Sequence, residues 1–142
     1  MKKKNPVQFH FLIYCALRNR GSLKMFIHSI FKKEKKPLQE LNIIFCDDEY
    51  LLNLNRQFLQ HDFYTDILSF PYSKANQPLV AEIYISVDRV RENAKSSGST
   101  FEKELHRVIF HGVLHFCGYK DKTPTDTKRM RSVEDRYLKG YW

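Results

Sequence analysis

The residues predict a single α/β domain spanning 1–142. Three observations carry that prediction. The chain has 142 residues, of which 42% are apolar and 14% aromatic, so it can build one sizeable core without disulfide or metal staples. Short β-capable apolar runs are interleaved with longer segments whose apolar residues recur at helical spacing. Cap and turn residues punctuate the joins.

Val7 to Ile13 is apolar-rich and reads as a first strand. Gly21-Ser22 reads as a break with a cap, after which Leu23, Phe26, Ile27 and Ile30 predict an amphipathic helix over 23–34. Lys32, Lys33, Lys35 and Lys36 gather at its end, where cations suit the helix dipole and could also meet phosphate; Pro37 closes the segment. Leu41 to Cys46 is a second strand. Asp47, Asp48 and Glu49 open a second helix, whose buried face is expected to be Leu51, Leu54, Phe58 and Leu59, with Asn55 and Arg56 off that stripe.

Ile67 to Phe70 is a third strand, entered through a turn at Thr65-Asp66, and residues 73–79 form a loop. Ala81 to Ser86 is a fourth strand, with Ile83 and Ile85 on one face and Glu82, Tyr84 and Ser86 on the other. A third helix starts at Val87-Asp88 and runs to about Lys95, followed by a Ser96-Ser97-Gly98 turn. Ser99, with Glu102 three residues on, makes a capping box for a fourth helix over 100–117, ~27 Å long, buried through Phe101, Leu105, Val108 and Ile109. Thr123-Pro124 begins a last helix with Met130, Val133, Tyr137 and Leu138 as its apolar positions; Gly140-Tyr141-Trp142 is an apolar end.

The chemistry concentrates in His111 to Asp121. His111 and His115 are four apart, so on a helix they stack on one face, roughly 5–6 Å apart at Cβ. Gly118 stops the helix, and Asp121 brings a carboxylate three residues later. Two nitrogens and one oxygen make an open site with a position left for water, the pattern of catalytic rather than structural zinc. Gly112 stands where the peptidase motif H-E-x-x-H carries its general base, so that peptidase chemistry is excluded. Glu104 lies nearly on the histidine face but two turns away, too far to share the metal. His106 points elsewhere and reads as structural, and Cys117 as a buried thiol.

A formal charge of +8 favours polyanions. Cys15, Cys46 and Cys117 are odd in number and follow no disulfide framework, which fits a reducing cytoplasm. The start Met1-Lys2-Lys3-Lys4 is basic, yet Gln8, His10, Arg18 and Arg20 interrupt any signal-type run, and no stretch approaches the ~20 apolar residues of a membrane span. A cytoplasmic location with no membrane partner is expected.

The run His111-Gly112-x-Leu114-His115-x-x-Gly118-Tyr119 resembles the signature of the YbeY family of metal-dependent, single-strand-specific endoribonucleases in rRNA maturation. Leu54-Asn55-x-x-Phe58-x-x-x-Asp62 with Thr65-Asp66-Ile67-Leu68-Ser69-Phe70-Pro71, and then Glu82-Ile83-Tyr84-Ile85-Ser86, resemble its other blocks, so that the likeness covers most of 41–138. The resemblance implies a mixed four-stranded sheet packed with about five helices and a metal at the C-terminal end of a long helix. It also implies a role in small-subunit rRNA processing and ribosome quality control, with the small ribosomal subunit and its proteins as partners. Three departures stand out. Lys120-Asp121 replaces the family's Asp-His, so Asp121 becomes the third ligand; Leu59 falls at a family Arg, with Arg56 one turn away; His61 falls at a frequent Lys.

The expected site is therefore a divalent metal, zinc first, held by His111, His115 and Asp121, with Asp66 or His61 handling protons. Arg56, Lys120 and Lys122 would contact RNA, and Tyr64, Tyr72 and Tyr119 could stack unpaired bases. An alternative from another class is a non-catalytic ribosome-assembly RNA-binding protein with a structural metal. A third is a metal-dependent hydrolase of small substrates, for which a basic surface would be unneeded.

Overall fold

Alternation along the central strands decides the layers. In the computed structural model, which describes residues 5–142, the elements are β1 (Val7–Phe11), α1 (Arg20–Lys33), β2 (Leu38–Cys46), α2 (Asp48–Leu59), β3 (Ile67–Pro71), β4 (Leu79–Ser86), α3 (Val87–Ser97), α4 (Phe101–Phe116) and α5 (Pro124–Tyr141). The basic start at residues 1–4 lies outside the described residues. The sheet is mixed, in the order β1-β2-β4-β3, with β1, β2 and β4 parallel and β3 antiparallel at one edge.

One face of β2 and β4 presents Leu41, Ile43, Phe45, Ala81, Ile83 and Ile85, all buried against α1, α3, α4 and α5. A smaller cluster of Cys46, Leu51 and Leu68 lies under α2, with Leu54, Phe70 and Tyr84 packed on it. The four-strand, five-helix expectation holds. Among the described residues, no helix is long and apolar enough to cross a membrane.

Several boundaries and facings differ from expectation, each for a local reason. Gly21-Ser22 is not a break: α1 starts at Arg20, behind a left-handed Asn19 (φ 53), because the buried stripe Leu23, Ile27, Ile30 and Phe31 sets the helix and tolerates small exposed residues in its first turn. β1 ends at Phe11, although the ladder's edge reaches one residue on, where the Leu12 N–H donates to the Phe45 carbonyl. β2 begins directly after Pro37, and Leu79 pairs with it rather than staying in the loop; β3 includes Pro71 at the sheet edge, where no ladder donor is missed.

Asn55, not Phe58 or Leu59, is buried on α2. Phe58 meets the Phe70 ring of the edge strand β3 edge to face at 6.1 Å and is otherwise left 59% exposed. α3 continues through Ser97, since the Ser96 and Ser97 hydroxyls bond back to the Glu92 and Asn93 carbonyls, and Gly98 (φ 69) ends it. The Ser99 N–H then donates to the Ala94 carbonyl, closing α3, so the cap of α4 passes to Thr100, whose hydroxyl accepts from the Lys103 N–H.

Gly112 fixes how α4 lies on the sheet. A Cβ there would meet the Ile67 methyl at 2.7 Å and the Ile83 methyl at 3.0 Å. A side chain at 112 would thus be aimed at the strands, not at the histidines. The missing general base is explained: this position faces the core, and only hydrogen lets α4 approach β3 and β4 so closely.

Candidate metal centre

α4 crosses the main core with Leu105, Val108, Ile109, Val113 and Leu114 buried, which leaves the opposite stripe free for His111 and His115. The two rings meet edge to face, with centroids 4.6 Å apart. Gly118 takes a positive φ of 103, the Tyr119 N–H returns to the Leu114 carbonyl, and the chain doubles back. The Thr127 hydroxyl, in the first turn of α5, donates to the Asp121 carbonyl, holding the loop onto that helix. Behind it, Glu34 at the end of α1 accepts from both the Tyr119 and Tyr137 hydroxyls.

His111 Nε2, His115 Nε2 and Asp121 Oδ2 converge, with separations of 3.1 Å between the nitrogens and 3.3 Å from each nitrogen to the carboxylate oxygen. A tetrahedral centre with ligands at about 2.0–2.1 Å has edges of about 3.3–3.4 Å. The three atoms therefore match one face of such a centre, and His111, His115 and Asp121 form a group able to hold a metal ion. The side chains are 25%, 33% and 41% exposed, so the remaining coordination direction opens to solvent.

Sequence reading missed the support behind His111. Its Nδ1–H donates to Glu134 Oε2 at 2.6 Å, turning the Nε2 lone pair toward the cluster. Glu134 is buried, and its other oxygen accepts from Arg107 at 3.0 Å; Arg107 also bonds Asp135. The signal was present: Met130, Glu134 and Leu138 recur at four-residue spacing, so a carboxylate sits on the apolar stripe of α5. Burial alone would lower the pKa of His111, but the bond to Glu134 and the fields of Glu134, Asp121 and Asp66 outweigh it and raise it.

A cavity of about 280 Å³ opens beside the cluster, bounded by Asp66, Glu104, Arg107, His111, Asp121, Arg131 and Glu134. Asp66 reaches it because its carbonyl accepts the Ser86 N–H, which seats the start of β3 beside the end of β4. Burial pushes the Asp66 and Glu104 carboxyls up. His61 does not share this cavity: it is exposed and stacks on Phe63 at 5.1 Å. Arg56 is likewise outside, paired with Asp62 on the surface. Lys120 lines a separate recess with Glu34, Tyr119 and Arg129, and Lys122 an outer groove along α5.

The three tyrosines bond carboxylates, Tyr64 to Glu49, Tyr72 to Glu82 and Tyr119 to Glu34. His106 is buried and accepts from the Trp142 indole N–H, which docks the chain's end. Cys117 is half-buried rather than fully so, with its thiol pushed up to about 12 by burial.

These features define an α/β domain with an open three-donor cluster at the end of its core helix. A family profile described as "Endoribonuclease YbeY" matches residues 17–141. A relative in Cytophaga hutchinsonii named endoribonuclease YbeY is 50% identical over 122 residues, 86% of this chain and 85% of its own. Another of that name in Flavobacterium psychrophilum is 47% identical over 94% of both chains. The solution structure of TM1509 from Thermotoga maritima superposes with a TM-score of 0.66 at 31% identity, covering 95% of this chain and 89% of the other. The chain belongs to the YbeY endoribonuclease family.

Proposed function

We propose that this protein is a metal-dependent endoribonuclease that hydrolyses single-stranded RNA during small-subunit rRNA maturation and ribosome quality control, in the cytoplasm and in contact with the small ribosomal subunit. The convergence of Asp121 with the two imidazoles carries the reading, within a family whose relatives are named endoribonucleases. A divalent ion, zinc first among borderline metals for a nitrogen and oxygen donor set, would supply Lewis acidity and an acidified water.

The chain's own groups do the rest. Glu134 holds His111 in one tautomer and one orientation. Asp66 is the cavity carboxylate suited to take up and return a proton at its Oδ, because it lines the cavity beside His111 and burial pushes its carboxyl above the usual carboxylate range. His61, on the outer surface, has no such part. The aspartate adds negative charge compared with a third histidine, which makes a bound water less acidic and widens the range of acceptable ions.

Elemental analysis of wild type and Asp121→Ala tests the site, and cleavage of labelled single-stranded RNA with and without chelator tests the activity. Equal metal content in the two proteins, or undiminished cleavage by His115→Ala in chelator, defeats the reading.

A further inference from the structure

The cavity beside the histidines is lined by charges of both signs. Asp66 and Glu104 bring carboxylates to it, Arg107 and Arg131 guanidiniums. Of the two guanidiniums, Arg107 is already committed to Glu134 and Asp135. Arg131 is exposed and, among the described residues, forms no ion pair. The cavity does not end there. Thr127 and Arg131 also line an outer groove that continues along α5 past Lys128 to Lys122.

Lys128 and Arg131 are three apart on the helix and so neighbours on one face; Lys122 lies just before its cap. Like Arg131, both lysines are exposed and, among the described residues, in no ion pair. Three cations outside any ion pair thus follow one groove that meets the cavity beside the metal-ligand cluster, and the groove's carboxylate, Asp135, is held by Arg107. An anionic strand entering this cavity is repelled by its carboxylates and drawn toward these free cations.

We infer that Arg131, Lys128 and Lys122 form the track that seats the phosphodiester backbone of the single strand beside the histidine cluster, with Arg131 nearest the reacting bond. The inference rests on the ribonuclease reading above and adds the direction in which the strand runs. Arg131 takes the place of a phosphate-gripping arginine on α2, where Leu59 is exposed and Arg56 is paired with Asp62.

The test compares wild type, Arg131→Ala, the double variant Arg131→Ala with Lys128→Ala, and Lys74→Ala. Lys74 lies in the loop between β3 and β4, at the far end of the sheet. Binding of a short fluorescein-labelled 2′-O-methyl oligouridylate is followed by anisotropy over a salt series, and cleavage of the ribose oligouridylate in parallel. Each cation removed from the track should weaken binding about threefold and shrink the slope of log K against log salt by about 0.7, while Lys74→Ala stays at wild type. Arg131→Lys should restore the slope, since charge is kept. A wild-type slope in the double variant, or an equal loss in Lys74→Ala, overturns the track while leaving a cleaving wild type as a nuclease. A wild type that neither binds nor cuts removes the ribonuclease reading itself and the track with it.

Discussion

Two buried polar residues, one on each side of the sheet, show how differently the two halves of the molecule are held. Glu134 on α5 has both oxygens paired, one to His111 and one to Arg107. Asn55 on α2 is just as buried, yet only its amide is used, donating to the Phe63 carbonyl, and its own oxygen has no partner. The first arrangement sits in the large core, the second over the small cluster of Cys46, Leu51 and Leu68. A fully satisfied network specifies one geometry; a half-satisfied one does not. Chemistry that needs donors placed to a fraction of an ångström belongs on the α4–α5 side, while Arg56 and His61, on α2 and the loop after it, lie on the surface outside the cavity.

The contrast can be broken most forcefully at Glu134. Glu134→Leu leaves Arg107 without its buried partner and should cost about 3–5 kcal/mol in chemical denaturation. Glu134→Gln, which keeps shape, should weaken zinc affinity about 10–100-fold in a competition titration with a chromogenic chelator. Next comes Gly112→Val, which drives a branched side chain into Ile67 and Ile83; a loss of about 1–3 kcal/mol is expected by urea unfolding. On the α2 side, Asn55→Ala should cost about 1 kcal/mol by the same measurement, because one of its two polar groups is already unpaired and only one bond is lost. His61→Ala should stay within about 0.5 kcal/mol in stability and leave RNA cleavage unchanged.

The pH response sharpens the same comparison. The folded-state pKa of His111 is raised above 6.5, so in chelator its contribution to stability is complete below that value and fades as pH rises through the raised one. A metal needs the ring neutral, so zinc affinity climbs across the same window. Melting curves in chelator and in zinc should diverge as pH increases, and curves that stay parallel would remove His111 from the ligand set.

Much of this was legible in the residues because it depends on short spacings. The His111–His115 interval, the stop at Gly118 and the reach of Asp121 are local geometry, and strands such as Ala81–Ser86 declare themselves by alternation. What escaped was long-range. Glu134 is paired across 23 residues with His111, and nothing near it in sequence announces that partner. The overestimate of Phe58 and Leu59 as core came from periodicity, which says which face a residue is on but not how much of the chain covers it. Ser99 and Thr100 both suit a cap, and only the carbonyl of Ala94, claimed by Ser99, decides between them.

The carboxylate of Glu34 ties the end of α1 to Tyr119 in the turn before Asp121 and to Tyr137 on α5. That clasp makes the leading βα unit a stakeholder in the site, although none of its own side chains lies among the three donors. Glu34→Ala, which leaves β1 and the buried stripe of α1 in place, removes the brace that holds the Asp121 loop in register and should erode ion capture while the sheet stays folded.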